Sequence, residues 1–310
     1  MLRATSRIPI CRSLNLASRH IRTTFNPVKI SSRHFWSDRK SELAPVKVSY
    51  LDSKKDIKTI DAINADSGLS RFIRTTYKFT GAGIGGTLVM SQMLSMVHSP
   101  EMFLPMFGTG IVMSLGGIFG MSYSKYTIHN ERVLDKNNSK KISEHWYSKN
   151  SPGRLASYGA LVAGMSMTLA PMVSIVNDIS STILPSSALI TGFVFGGSIL
   201  YAKLRPKGSL LAWEAPLMGG LMSLVGVSLV GLGSHLLFGP TMFSAALHSI
   251  DTYGGILLFT GMSAYDTHKS IEMYEKRNPD HLGCSVNLYL DFMNLLIRIM
   301  EVMAKAQKNK

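Results

Sequence analysis

One uncharged stretch decides the fold class: residues 102–124 have the sequence MFLPMFGTGIVMSLGGIFGMSYS, without Asp, Glu, Lys or Arg. About 20 consecutive apolar residues are enough to cross the hydrocarbon core of a bilayer. A helix buried in a large soluble protein normally keeps a polar face at the helical period, and neither this stretch nor residues 215–234 has one. The stretch therefore predicts a transmembrane helix.

Charge-free segments recur along the chain, in which only 17% of the residues are charged, against about 25% in a typical soluble domain. Four gaps exceed 20 residues, a longer one has room for a helix and a loop, and two further hydrophobic segments are interrupted by an aspartate. In order, they are residues 79–100, 102–124, 155–177, 179–202, 215–250, 252–266 and 284–303. We predict an all-α membrane protein, with a bundle of seven transmembrane helices over residues 76–304.

Three of these segments contain glycine pairs spaced four residues apart. The pairs are Gly81/Gly85, Gly116/Gly120 and Gly192/Gly196. Small residues at this spacing let membrane helices approach closely, so we predict that these pairs lie at helix–helix contacts.

The N-terminal region is basic and has no acidic residue before Asp38. Ser and Thr separate its basic residues, and it lacks the long apolar core of a secretory signal. Such an Arg-rich, Ser-rich and acid-poor leader is typical of a mitochondrial transit peptide, which we predict over residues 1–40, with a disordered basic tail as the alternative. Residues 41–75 are predicted to form a polar linker in the matrix, and residues 305–310 a basic tail.

Loop charge predicts the orientation in the membrane. The second, fourth and sixth loops carry Lys and Arg, whereas the first, third and fifth loops (97–101, 177–183 and 238–251) carry none. Lys and Arg are enriched in the loops that are not translocated. In the mitochondrial inner membrane, the basic loops and the N-terminus would face the matrix. The basic tail would then lie on the opposite side, which a last helix that does not fully cross would resolve.

Asp266 and Asp291 interrupt the last two hydrophobic segments. An ionisable group inside a membrane costs about 3 kcal/mol on insertion scales and is a functional-site hypothesis by default. At about 1.5 Å per residue, Asp266 lies roughly 22 Å beyond Asp251, and Asp291 lies roughly 10 Å beyond Cys284. On antiparallel helices these positions are at similar depth near the basic side, which predicts a pair. The alternative is that one or both aspartates only cap or bond a neighbouring helix.

Two carboxylates in a low dielectric cannot both ionise cheaply, so we predict that the pair shares a proton at low pH and repels or binds a cation at high pH. Carboxylate oxygens suit Ca²⁺, which takes about 6–8 oxygen ligands, so water, backbone carbonyls or further side chains would complete its shell. The predicted supporting residues are Tyr265, Tyr289, Asn294 and His268. Of these, His268 is expected to be an interfacial residue or a proton relay.

The remaining reactive residues do not form a catalytic pattern. Four histidines lie in or near the last three segments: His235, His248, His268 and His281. They are not set at metal-ligand spacing with a carboxylate on one helix face, so no enzyme and no cofactor are predicted. Cys11 would leave with the leader, and Cys284 then has no disulfide partner within one chain. Arg298 and Glu301, three residues apart, are predicted to form a local ion pair.

Three motifs in the last two segments are similar to those of a known family. They are YGGILLF (253–259), YDTHK (265–269) and LYLDFMNL (288–295). These motifs resemble the last two helices of the Bax inhibitor-1 (transmembrane Bax inhibitor motif) family, and with the Arg-rich leader the chain resembles its mitochondrial branch. The likeness covers roughly residues 75–304.

The resemblance implies a seven-helix bundle with the last helix central, and a pH-sensitive Ca²⁺ leak or exchange pathway at Asp266 and Asp291. For the mitochondrial branch it implies Ca²⁺/H⁺ exchange across the inner membrane, with a part in cristae organisation and apoptosis control. The alternative is a non-transporting scaffold that holds inner-membrane partner proteins and maintains cristae. The basic loops also favour an anionic membrane lipid such as cardiolipin, with ordinary topology-setting charge as the alternative. No nucleic-acid partner is predicted.

Overall fold

The structure is a computed structural model that describes residues 68–97, 100–134, 142–206 and 208–308. The predicted transit peptide over residues 1–40 lies outside the described residues, as does the predicted linker up to residue 67. All of the described residues belong to one compact unit.

Seven long helices make up most of the described chain, one for each predicted hydrophobic segment. They are α1 (Gly68–Val97), α2 (Phe103–Tyr123), α3 (Pro152–Ile179), α4 (Ile183–Leu204), α5 (Glu214–Phe238), α6 (Met242–Glu275) and α7 (His281–Lys308). Short 3₁₀ turns, Pro100–Met102 and Leu211–Trp213, precede α2 and α5.

Five helices of the described chain are long and apolar enough to cross a bilayer. They are α2, α3, α4, α5 with the 3₁₀ turn before it, and α7. The other two, α1 and α6, also contain charged residues: Arg71, Arg74 and Lys78 lie in α1, and Asp251 and Asp266 lie in α6. The prediction of an all-α, multi-pass membrane protein is therefore confirmed, whereas seven spans stay a prediction.

The segment between α2 and α3 was considered in the sequence analysis only as a basic loop. It contains an antiparallel hairpin of β1 (Tyr126–Leu134) and β2 (Ile142–Asn150), in which Tyr126 pairs with Asn150 and Leu134 with Ile142. The aromatic and β-branched residues of these nine-residue strands favour extended backbone. The sequence prediction missed this hairpin because it considered only the charge of the loop.

Two helices begin earlier than the sequence prediction placed them. The linker predicted over residues 41–75 ends sooner, because α1 already begins at Gly68 and buries Phe72, Thr76 and Thr80 along one face. Helix α6 was expected to begin near Asp251, but it begins at Met242. Asp251 therefore lies inside α6 rather than at its start.

The start of α6 is fixed by a capping box at its N-terminus. Thr241 Oγ1 accepts a hydrogen bond from the Ser244 amide at 3.1 Å, and Ser244 Oγ accepts one from the Thr241 amide at 3.0 Å. This reciprocal pair satisfies two amides that a helix otherwise leaves without partners. The helix can therefore begin nine residues before Asp251 (251 − 242).

Helix α7 lies at the centre of the bundle, as the resemblance implied. It packs against α1, α3, α4 and α6. Its side chains Leu288, Tyr289, Met293, Leu295 and Leu296 are completely buried. Any polar group on the inner faces of α7 is therefore shielded from lipid and from solvent.

The closest helix contact, between α2 and α3, is formed by glycines that the spacing rule did not select. A Cβ added to Gly164 would lie 2.5 Å from the Ser114 amide nitrogen, and one added to Gly117 would lie 2.6 Å from the Leu161 nitrogen. Of the six glycines predicted to lie at helix contacts, only Gly120 meets a neighbouring helix, and the other five face open space. The prediction that all three pairs lie at helix contacts was therefore wrong.

Candidate ion site between the last two helices

Asp266 of α6 and Asp291 of α7 are brought together inside the bundle. The carboxyl groups of the two residues interact with each other. Both residues are buried, with 7% of Asp266 and 3% of Asp291 exposed. The pairing expected from similar depth on antiparallel helices is therefore present in the geometry.

The surroundings leave this pair short of other partners. The hydroxyls of Ser263, Thr267 and Ser270 bond to backbone carbonyls four residues earlier in α6. Oδ2 of Asp291 is buried and has no hydrogen-bond partner among the described residues. A buried carboxylate oxygen without a partner carries a large desolvation cost, which a proton or a bound cation would relieve.

The two carboxyl groups differ in their electrostatic surroundings. Lys269 lies one turn after Asp266 on α6, and its charge attracts the Asp266 carboxylate. Lys269 Nζ is also 3.3 Å from the Tyr265 hydroxyl, which holds the amine beside the pair. The group that faces Asp291 is the carboxyl of Asp266. Lys269 is therefore a counter-charge on the Asp266 side of the pair.

The predicted supporting residues mainly serve to join helices. Tyr289 is hydrogen-bonded to Thr87 of α1 at 2.7 Å, and His268 Nε2 is 2.6 Å from the Ala202 carbonyl at the end of α4. Asn294 donates to the Leu290 carbonyl within α7 at 2.9 Å. These bonds direct Tyr289, His268 and Asn294 to partners other than the two carboxyl groups.

The described residues contain no cluster of three or more His, Cys, Asp or Glu side chains that could hold a metal ion. Asp266 and Asp291 can supply carboxylate oxygens to a cation, but the remaining ligands must come from other groups such as water or backbone carbonyls.

A second polar cluster, which the sequence prediction missed, joins α6 and α7 near the end of α7. Arg298 Nη2 is 3.1 Å from Asp251 Oδ1, and Thr252 Oγ1 is 3.1 Å from Glu301 Oε2. Glu301 also pairs with Lys305. The predicted Arg298–Glu301 pair is thus replaced by pairs with other residues, because Asp251 lies inside α6 and faces Arg298.

The opposite end of α7 is fixed by a buried ion pair. Arg154 at the start of α3 contacts Asp280 Oδ2 at 2.5 Å, and only 3% of the Arg154 side chain is exposed. Asp280 caps α7, and the adjacent His281 lies 2.7 Å from Ser148 Oγ and 3.0 Å from Asn150 Nδ2 of β2. The hairpin and α3 therefore hold the end of α7 that precedes Asp291.

The same end of the molecule contains a buried histidine on the hairpin. Burial lowers the pKa of His145, the nearby Arg71 lowers it further, and Glu131 raises it. His145 Nδ1 has no hydrogen-bond partner among the described residues. The imidazole is thus kept neutral beneath the start of α1.

Bilayer-length apolar helices around a buried pair of carboxyl groups define a multi-pass helical membrane protein with a candidate ion site. Residues 69–308 match the family model Bax1-I, described as inhibitor of apoptosis-promoting Bax1. The chain belongs to this family, and the resemblance seen in its last two segments is confirmed.

Relatives with related names match parts of the chain. The chain is similar to growth hormone-inducible transmembrane protein of Rattus norvegicus, with 26% identity over 245 residues, which are 77% of this chain and 64% of the relative. It is similar to Bax inhibitor 1 of the same organism, with 32% identity over 158 residues, 51% of this chain and 62% of the relative. Bax inhibitor 1 of Oryza sativa subsp. japonica is 29% identical over 153 residues, 49% of this chain and 57% of the relative. The chain thus spans less than two thirds of each relative.

Proposed function

We propose that this protein moves Ca²⁺ across the mitochondrial inner membrane by pH-dependent exchange with protons or by a pH-dependent leak. The single observation that carries this proposal is the buried contact between Asp266 and Asp291, with Asp291 Oδ2 lacking a partner among the described residues. Groups of this kind inside a membrane bundle are typical of ion pathways and proton relays.

Charge balance explains how one pair can serve both ions. The two ionised carboxylates carry two negative charges, which either one Ca²⁺ or two protons neutralise. Because neither state leaves a net charge in the low-dielectric interior, the two ions can replace each other at the same place.

The arrangement of the loops supports a matrix-facing N-terminus. The hairpin contacts the turn between α6 and α7 through Tyr126–Asn278 and through Arg277 over the Trp146 ring, so these two basic loops share one end of the bundle. In this topology the basic C-terminal tail lies on the side opposite the matrix, where positive charge is unfavourable. The pairing of Glu301 with Lys305 offsets part of that charge. The Arg-rich leader is the ground for proposing the mitochondrion.

The family is described as inhibitor of apoptosis-promoting Bax1, and on this ground the proposal includes a part in apoptosis control. We further propose a role in cristae organisation and contact with an anionic lipid such as cardiolipin at the basic loops. In this proposal Ca²⁺ and H⁺ are transported rather than held, so lipid is the ligand that stays bound to the protein.

Neutralising either aspartate should abolish Ca²⁺ flux in reconstituted vesicles. Asp266→Asn and Asp291→Asn each keep the side-chain size but remove a charge that Ca²⁺ requires, so the initial rate should fall to that of protein-free vesicles. The measurement is uptake of Ca²⁺ reported by an enclosed fluorescent indicator. Asp178→Asn is the matched control, because Asp178 is an exposed acid at the end of α3.

Unchanged flux in both variants would contradict the transport proposal. The alternative is the non-transporting scaffold, in which the aspartates only lock α6 to α7. In that case the Asn variants would keep wild-type partner binding and cristae shape in cells, and no Ca²⁺ flux above the protein-free rate would be seen for the wild type.

A further inference from the structure

A cavity of about 750 Å³ lies between α5, α6 and the turn that joins them, with Asp251 in its wall. Its polar lining residues are Ser228, His235, Thr241, Ser244, His248 and Asp251. Asp251 precedes Asp266 by 15 residues (266 − 251) on α6, which is roughly 22 Å along the helix axis. The cavity therefore lies toward the other end of the α6–α7 contact from the aspartate pair.

Asp251 is held between this cavity and the centre of the bundle. Its Oδ1 accepts hydrogen bonds from Ser228 Oγ at 2.8 Å and from Arg298 Nη2 at 3.1 Å. Arg298 Nε also donates to the Asp251 backbone carbonyl at 3.2 Å. Both of the bonds that the carboxylate accepts from described residues go to Oδ1, which leaves Oδ2 for another ligand.

Arg298 can take this position only because α6 has a glycine opposite it. A Cβ added to Gly255 would lie 1.7 Å from Arg298 Nε, so any larger residue would displace the guanidinium. The guanidinium also lies 5.3 Å from the centre of the Phe259 ring. Arg298 is thus inserted between α6 and α7, with only 13% of its side chain exposed.

We propose that Asp251 is a second cation-binding carboxylate, placed at the far mouth of the pathway that leads to Asp266 and Asp291, and that Arg298 occupies it when the pathway is closed. This inference rests on the proposed function, which it deepens. A divalent cation that enters the cavity carries twice the charge of the guanidinium, and it competes with Arg298 for the same carboxylate.

A displaced Arg298 has an alternative acceptor on its own helix. Glu301 lies three residues further along α7, a spacing at which side chains on one helix face can pair. Glu301 in this structure bonds to Thr252 and Lys305, and its partner His248 also lines the cavity. Movement of Arg298 from Asp251 to Glu301 would open the contact between α6 and α7 without leaving a buried charge unpaired.

Arg298→Gln tests this inference in the same Ca²⁺ flux assay. Without the guanidinium the far mouth stays open, so the initial rate should rise several-fold above that of the wild type. Gly255→Ala should raise it in the same direction, because it displaces Arg298 while keeping both charges. Asp251→Asn should instead increase the Ca²⁺ concentration needed for half-maximal rate. Lys276→Gln, which removes an exposed pair with Glu272 on α6, is the control and should leave the rate unchanged.

The outcomes separate this inference from the proposed function. One outcome is that Asp291→Asn abolishes flux while Arg298→Gln and Gly255→Ala leave the wild-type rate. In that case the proposal that Arg298 closes the pathway at Asp251 is wrong, and the transport proposal stands. If the wild type carries no Ca²⁺, both are wrong. A variant that only melts at lower temperature in detergent, with an unchanged rate per folded protein, would show that Arg298 merely ties two helices. If Arg298 closes the pathway as proposed, Arg298→Lys, which keeps the charge, should have a rate close to that of the wild type.

Discussion

Arg154→Met should lower the free energy of unfolding in detergent by about 3–5 kcal/mol, because it leaves the buried carboxylate of Asp280 without its counter-charge. Arg154 also donates to Asn150 Oδ1 at 2.8 Å and lies 4.4 Å above the Tyr126 ring. The substitution therefore removes a shared partner of β1, β2 and the residue that caps α7. Methionine keeps most of the apolar stem, so the loss reports the charge rather than the volume. The measurement is a denaturation curve followed by tryptophan fluorescence.

Two further variants show whether the unpaired charge is the cause. Arg154→Met combined with Asp280→Asn should recover part of the loss, since no buried charge remains and the amide oxygen can still cap α7. Lys276→Met removes only the exposed pair with Glu272 and should cost about 1 kcal/mol or less. If Arg154→Met costs no more than Lys276→Met, the pair does not hold α7 in the way described.

Gly164→Ala should destabilise the bundle by about 1–3 kcal/mol through a single added methyl group. The new Cβ would lie 2.5 Å from the Ser114 nitrogen and 2.7 Å from the Gly110 carbonyl oxygen. These are backbone atoms, so α2 itself must move away from α3 before the methyl group fits. The shift would also separate the apolar contacts that follow along both helices. A lower melting temperature of the purified protein is the expected result.

Gly159→Ala is the matched control on the same helix. A Cβ at Gly159 meets nothing within 4 Å, so only the better helix propensity of alanine remains. The expected effect is a gain of up to about 1 kcal/mol. Equal melting temperatures for Gly164→Ala and Gly159→Ala would show that the α2–α3 contact is looser than the structure has it.

The positions of the helices could be predicted from the sequence because charge is excluded from bilayer-length segments. This rule located all seven helices, but it gave no information about segments outside the membrane, so the hairpin β1–β2 was missed. It also misplaced the start of α6, since Asp251 was taken as a boundary. A charged residue can lie inside such a helix when a partner such as Arg298 faces it.

The aspartate pair could be predicted because a buried acid is costly wherever it lies in a membrane, and consecutive antiparallel helices bring similar depths together. The partners of Tyr289, His268 and Asn294 could not, because spacing along one helix does not specify which neighbour faces each side. The glycine contacts show the same limit. Gly110 and Gly164 approach each other across two helices, whereas spacing within one helix selected Gly81 and Gly85, which face open space.

The central claim is that Asp266 and Asp291 act as one site at which protons and Ca²⁺ replace each other. Its most direct test is the initial rate of Ca²⁺ uptake into vesicles at about pH 6 and about pH 8, equal on both sides of the membrane, for the wild type and Asp291→Asn. The wild type should be faster at the higher pH, because the pair then loses its protons and both carboxylates can bind Ca²⁺. Asn mimics the protonated acid, so the variant should be slow at both values. A variant that keeps the wild-type rate and its dependence on pH would contradict the account.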